Sequence, residues 1–190
     1  MNFNAEEANH LIRNRRSMYP GLYTGDRVSD EVIGAMLENA NWAPTHKLTE
    51  PWRFMIFCDE GKQEFLSIHE KTHKKAGKKM DEDKLKKLKG KLKKTSHIIS
   101  IGMKRDKAVP EMEEIAAVAA AVQNMQLTAT AYGVGCYWST GGITFMKEAK
   151  KFFGLKKGDM LMGFLFIGVP KKWPKGKRKS IQEKVSWVMR

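Results

Sequence analysis

A chain of 190 residues with 42% hydrophobic content accommodates one sizeable core without need of a second domain, so residues 1-190 are expected to form a single domain. No apolar run approaches the roughly 18 residues a membrane span needs, and the polar, acidic start Met1 to Glu7 lacks a secretory pattern, so a cytoplasmic protein without membrane partners is expected. The formal charge of +14 is unevenly placed: residues 71-94 carry +9 and residues 171-190 carry +7, leaving −2 for the rest. With no aromatics between 71 and 94 to stack on bases, specific nucleic-acid recognition is not expected.

The first predicted element is a short helix over 5-14, with Ala8, Leu11 and Ile12 on one face and two arginines at its end. Ser29 is placed to cap a second helix, whose apolar positions Val32, Ile33, Met36, Leu37 and Ala40 follow the 3.6 period up to Pro44. The residue before a proline is pushed out of the α region, which applies at Ala43 and Glu50 and predicts an extended loop over 42-51. Phe54 to Cys58 reads as a strand and Gln63 to His69 as a helix. From 69 to 94, Met80, Leu85, Leu88 and Leu92 keep helical spacing, so a lysine-rich helical excursion is expected, interrupted at Gly77 and Gly90.

His97 to Ile101 reads as a second strand. Pro110 and the acidic residues after it open a long helix running to Ala131; five of the six residues 116-121 are alanine, which permits another helix to approach closely. A short helix is expected over 145-153, ending at Gly154, and a strand over Met160 to Val169, stopped by Pro170. The segment 171-190 forms a basic arm whose end, Glu183 to Met189, alternates as a terminal strand. Helices interleaved with three or four strands indicate helices packed around a sheet. Cys58 and Cys136 offer neither a disulfide framework nor metal spacing, and the histidines show no ligand pattern, so no metal is expected.

Three motifs carry chemistry. Arg15-Arg16-Ser17 closes the first helix, and Asn41-Trp-Ala-Pro-Thr-His-Lys-Leu-Thr-Glu-Pro-Trp-Arg-Phe54 leads into the apolar run Met55 to Cys58. Later, Tyr132-Gly-Val-Gly-Cys-Tyr-Trp-Ser-Thr-Gly-Gly142 closes the long helix. In this order they resemble the nitroreductase family, over a stretch from about Leu11 to the last strand, with the likeness weakest across 69-94. The resemblance implies an α+β three-layer fold: a central, mainly antiparallel sheet flanked by helices, in an intertwined homodimer whose terminal segments add to the partner's sheet.

The resemblance also implies FMN as cofactor and NAD(P)H as electron donor. In the family, residues matching Arg15, Arg16 and Ser17 bind the flavin phosphate, ribityl chain and pyrimidine edge; a guanidinium suits the first because it can pair with phosphate bidentately. Trp42 and His46 match contact positions at the flavin edge. Ser139, Thr140 and Gly141 match residues beside N5 and the dimethylbenzene ring, where glycine permits backbone approach. Arg178, within Lys177-Arg178-Lys179, resembles a basic triplet that reaches the phosphate. Tyr19 departs from the pattern, since the family often has a second basic residue there; Lys47 is one substitute for that cation.

The implied activity is hydride transfer from NAD(P)H to a small electron-poor acceptor, nitroaromatic or quinone, by a ping-pong cycle. No side chain is required as acid or base, because the cofactor carries the chemistry. Alternatives are the same fold with dehalogenase, flavin-degrading or dehydrogenase activity, or a flavin-less polybasic module that binds polyanions.

Overall fold

Asn4 caps the first helix. In a computed structural model describing residues 3–189, its side-chain oxygen accepts from the backbone N–H of Glu6 at 3.0 Å and of Glu7 at 3.2 Å. That satisfies two of the free donors at the start of helix α1 (Ala5–Asn14). Helix α2 (Asp30–Asn41) follows Ser29 and buries Ile33, Met36 and Ala40, three of the periodic apolar positions. Ser29 occupies the cap position without a side-chain bond to the helix backbone.

Strand β1 (Trp52–Cys58) is followed by helices α3 (Gly61–Lys75) and α4 (Glu82–Lys94), then strand β2 (His97–Met103) and the long helix α5 (Glu111–Ala131). Strands β3 (Gly135–Ser139) and β4 (Met160–Gly168) complete a four-stranded sheet of order β1-β2-β4-β3, antiparallel throughout. Every residue of β2 is buried, as a central strand covered on both faces requires. On one face Ile99, Ile101, Leu165 and Ile167 pack under α2 and α5; on the other Ile98, Phe164 and Phe166 pack under α3 and α4. The alternation along β2 and β4 thus divides the core into two halves, each buried apolar side chain contributing about 1.5–3 kcal/mol. The fold is the α+β three-layer arrangement expected. None of the helices described is long and apolar enough to cross a membrane.

The segment after α1 is pinned along β3. Met18 donates its backbone N–H to the Cys136 carbonyl at 2.7 Å, and Thr24 donates to Val169 at 2.9 Å. Between them Tyr23 is fully buried, its hydroxyl 2.6 Å from the Met18 carbonyl and 3.1 Å from that of Phe166. A Cβ on Gly168 would lie 2.5 Å from the Tyr23 ring, so only glycine lets the tyrosine lie on the strand.

Four expectations are corrected. The loop 42–51 is not extended: His46–Leu48 forms a 3-10 turn with Lys47 and Leu48 at φ 52 and Glu50 at φ 42. Hydrogen bonds from within the loop override the proline preference, since the Thr45 and Thr49 hydroxyls lie 3.2 Å apart and Glu50 N–H reaches Thr45 Oγ1 at 3.3 Å. The lysine-rich stretch is broken at Gly77, at φ 69, whereas Gly90 sits within α4 without interrupting it. The region 145–153 contains only a 3-10 turn, Lys150–Phe153, although Gly154 ends it at φ 68. Among residues 183–189 there is no strand; Gln182–Lys184 is a 3-10 turn, and Trp187, Val188 and Met189 are exposed. Alternation alone cannot make a strand where no neighbouring edge supplies hydrogen bonds.

Candidate functional site

The end of α1 delivers two arginines to one place. Arg15 reaches across to α5 and donates from its guanidinium to Gln126 Oε1 at 2.8 Å. Arg16 turns the other way, donating to the carbonyls of Arg13 at 2.6 Å, Arg15 at 2.9 Å and Pro174 at 3.2 Å. The C-terminal arm is fastened here as well, because Trp173 donates its indole N–H to the Asn14 carbonyl at 2.8 Å. Arm and helix end enclose a cavity of about 300 Å³, walled by Ile12, Arg13, Arg15, Arg16, Gly176, Lys177 and Arg178. Lys179 is not among the residues that form its wall.

Burial, then the neighbouring Arg178 and Arg16 charges, lower the Arg15 pKa. Among the described residues, the ion pairs found engage none of Arg15, Arg16 and Arg178. Three guanidiniums without a carboxylate between them form a site whose charge only an anionic ligand would balance. The cavity therefore fits a phosphate group in charge.

Ser17 itself is exposed and bridges Cys136 of β3 through the backbone. Ser139 is three residues farther along that strand, about 10 Å away at the usual strand rise. The cation cluster and the Ser139–Gly141 turn thus lie along one sheet edge. At the turn, Gly141 N–H points to Ser139 Oγ at 3.5 Å, and Thr140 is exposed. Cys136 is buried, which pushes its thiol pKa up to about 12, so it is not a reactive group of this edge.

Trp42 and His46 lie apart from this edge. Trp42 is 79% exposed and donates to Glu38 at 3.1 Å. His46 pairs through Nδ1 with Glu113 at the start of α5. Gln126, which holds Arg15, is 13 residues later on the same helix, or about 20 Å along its axis. Within one chain the structure brings together Arg15, Arg16 and Arg178 and aligns Ser17 with Ser139, Thr140 and Gly141; it sets Trp42 beside Leu11 and the Asn124–Tyr132 end of α5, and leaves His46 at the Glu113 end.

Two contributors were not legible from the sequence. Gln126 is a polar residue on an otherwise small and apolar helix face, which was a signal of sorts. Lys91 of α4 had none: its ammonium lies 4.9 Å above the Tyr19 ring, while Lys47, the substitute read from the sequence, donates to the Ala108 carbonyl at 3.3 Å. A cation from another helix thus stands beside Tyr19. Tyr19 is itself fixed edge-on against Tyr137 of β3, with ring centroids 5.4 Å apart.

Comparison with known proteins gives the family. The sequence profile of the nitroreductase family matches residues 12–169. YfhC of Bacillus subtilis, provisionally named an NAD(P)H nitroreductase, is 31% identical over 172 residues, which cover 90% of this chain and 88% of that protein. The crystal structure of a nitroreductase-like family protein from Bacillus cereus superposes with a TM-score of 0.83 at 30% identity, covering 99% of this chain and 98% of the other. A Desulfovibrio desulfuricans structure in complex with FMN, provisionally named a nitroreductase, superposes with a TM-score of 0.75 at 24% identity, covering 99% of both chains.

Proposed function

Because the chain belongs to the nitroreductase family, we propose that it is an FMN-dependent oxidoreductase that takes hydride from NAD(P)H and reduces a small electron-poor acceptor by a ping-pong cycle. The observation that carries this reading is the unpaired cluster of Arg15, Arg16 and Arg178 at the head of the edge that leads to Ser139–Gly141. Support for the cofactor comes from the FMN bound in the Desulfovibrio relative, and for the donor from the name of YfhC.

Bound at this edge, FMN would supply the hydride acceptance and delivery that the side chains present lack. Arg15, oriented by Gln126, and Arg178 hold the phosphate, and Arg16 fastens the arm that brings Arg178 in. Ser17 and the backbone of Gly141 bracket the ring system. Lys91 would take the place of the basic residue missing at Tyr19 and would offer a positive charge to the bound cofactor. For a nitroaromatic acceptor, the nitro compound, one NAD(P)H and one proton would give the nitroso compound, NAD(P)+ and one water.

The assembly is proposed to be a homodimer with the flavin at the subunit interface. Two α5 helices packed antiparallel about a two-fold axis would place the partner's His46 end beside this chain's Arg15 end, uniting the two separated parts of the site. The exposed Met112 and the partly exposed Ala119 and Ala120 of α5 support such a seam.

The test is a visible spectrum of protein purified without added cofactor, followed by anaerobic addition of NADPH and then NADH. A flavin band bleached by either donor is expected. A colourless protein that takes up no added FMN would overturn the reading.

A further inference from the structure

Helix α4 carries lysines on two opposite flanks. At about 3.6 residues per turn, Lys84, Lys87 and Lys91 fall on one flank, where they line the hollow beside Ser139 and Gly141 that belongs to the flavin edge. Lys86, Lys89 and Lys93 fall on the other, turned away from that edge. There they wall a groove of about 1040 Å³ between α4, the end of α3 and the 77–80 turn. Its apolar floor is Leu85 and Met80, the latter also touching the flavin hollow. Six lysines border the groove against Glu70 and Glu82. Of these lysines only Lys79, 3.2 Å from Glu82, belongs to an ion pair found among the described residues.

Gly90 supplies an independent observation. It stands on the groove side inside α4, where glycine is a much weaker helix former than alanine. A Cβ there would meet nothing within 4 Å, so the packing of this chain does not require glycine. The missing side chain instead leaves a gap in the wall between Lys86 and Lys93, through which another backbone can come close.

The shape of the groove narrows the choice of occupant. From Glu82 to Lys93 it follows α4 for about 16 Å, and its volume is that displaced by roughly three turns of a second helix about 10 Å across. Lys86, Lys89 and Lys93 recur three and four residues apart, the spacing at which carboxylates repeat along one face of a facing helix. Neither arginine nor an aromatic residue lines the groove, so it offers phosphates no planar fork and bases no stacking platform. Apolar residues at the bottom of a concave surface do not reach a flat bilayer.

We propose that this groove docks an acidic amphipathic helix of a partner protein. The apolar stripe of that helix lies on Met80 and Leu85, its backbone passes Gly90, and its carboxylates meet Lys86, Lys89 and Lys93.

The experiment follows the fluorescence anisotropy of a labelled synthetic helix of about four turns, with leucines in one stripe and glutamates beside it, titrated with the intact protein at low salt. K86Q/K89Q should weaken binding about threefold to tenfold, the scale of two exposed ion pairs. K84Q/K87Q removes the same charge from the opposite flank and should change binding less than about twofold. G90A should melt at a higher temperature and yet bind the peptide about threefold more weakly, a loss that cannot come from unfolding. Equal losses in the two lysine variants, equal binding of a scrambled peptide of the same composition, or unaltered affinity in G90A overturns the proposal. So does a single-stranded oligonucleotide or a phosphatidylserine vesicle that binds more tightly than the peptide and loses affinity in K86Q/K89Q, because the groove is then a phosphate site. Displacement of the peptide by NADPH assigns the groove to the electron donor and likewise overturns the docking. The measurement does not depend on the cofactor: a colourless protein overturns the function proposed above and leaves the docking to stand or fall by itself.

Discussion

The two helical layers cover the same sheet by different means. Helix α5 has no lysine or arginine and buries nine of its 21 residues, including Glu114 and Gln126; α4 has seven lysines in 13 residues and buries only Leu88 and Leu92. One layer is therefore a structural beam that also holds site residues in place. The other is a thin apolar stripe carrying a charged outer surface, free to differ in sequence so long as the leucines remain.

The largest effect should come from the beam. Glu114 is 1% exposed and pairs with Arg105, and it also accepts from the Asp106 N–H at 3.1 Å. Glu114→Ala strands these partners and should lower stability by about 3–5 kcal/mol in urea unfolding. Lys89→Ala on exposed α4 should stay within about 0.5 kcal/mol. Equal losses would erase the contrast between the layers.

The lysine-rich side has its own buried liability in His69, whose pKa falls from 6.5 to about 4 on burial. The folded protein binds this proton less readily than the unfolded chain, so the stability is complete above pH 6.5 and is lost progressively as pH falls towards 4. The loss approaches about 3 kcal/mol at full burial. His97, also depressed by burial, adds in the same direction. Unfolding curves across this window should be flatter for His69→Phe; an identical slope would show that the imidazole is not the source.

Cofactor retention sharpens the comparison next. Arg15→Ala should weaken FMN binding roughly tenfold to a hundredfold, the worth of a charge-assisted hydrogen bond, as measured by flavin fluorescence during dialysis. Gln126→Ala should do less, because the guanidinium survives without its support on α5. The smallest shift is expected at Lys91. Lys91→Gln should make the flavin potential more negative by roughly 20–30 mV, while Lys47→Gln should leave it in place. A shift with Lys47 and none with Lys91 would return the cation to the 42–51 loop.

Most of the fold was legible because local pattern and tertiary burial agree. The periodic apolar residues of α2 and the spacing Leu88–Leu92 on α4 are the ones the core buries. Legibility failed where an element depends on contacts distant in sequence. Strand β3 was read only as the exit of the long helix, since its five residues gain strand character only by pairing with β4. The alternation at 183–189 misled for the converse reason, finding no edge to pair with in this chain. At the site, Arg15, Arg16 and Arg178 line one cavity, and the sequence related them only through the family resemblance. The Lys91–Tyr19 contact joins residues 72 positions apart and leaves no mark in either segment.

The cation cavity is built from opposite ends of the chain: Arg15 and Arg16 on one wall, Gly176 to Arg178 on the other, where a Cβ on Gly176 would lie 2.3 Å from the Arg16 guanidinium. A polypeptide still being translated has the first wall long before the second. The phosphate site proposed there is therefore complete only once residues 176–178 have been made. Trimming the arm before Trp173 would yield a protein with its sheet in place and no closed cavity to receive its cofactor.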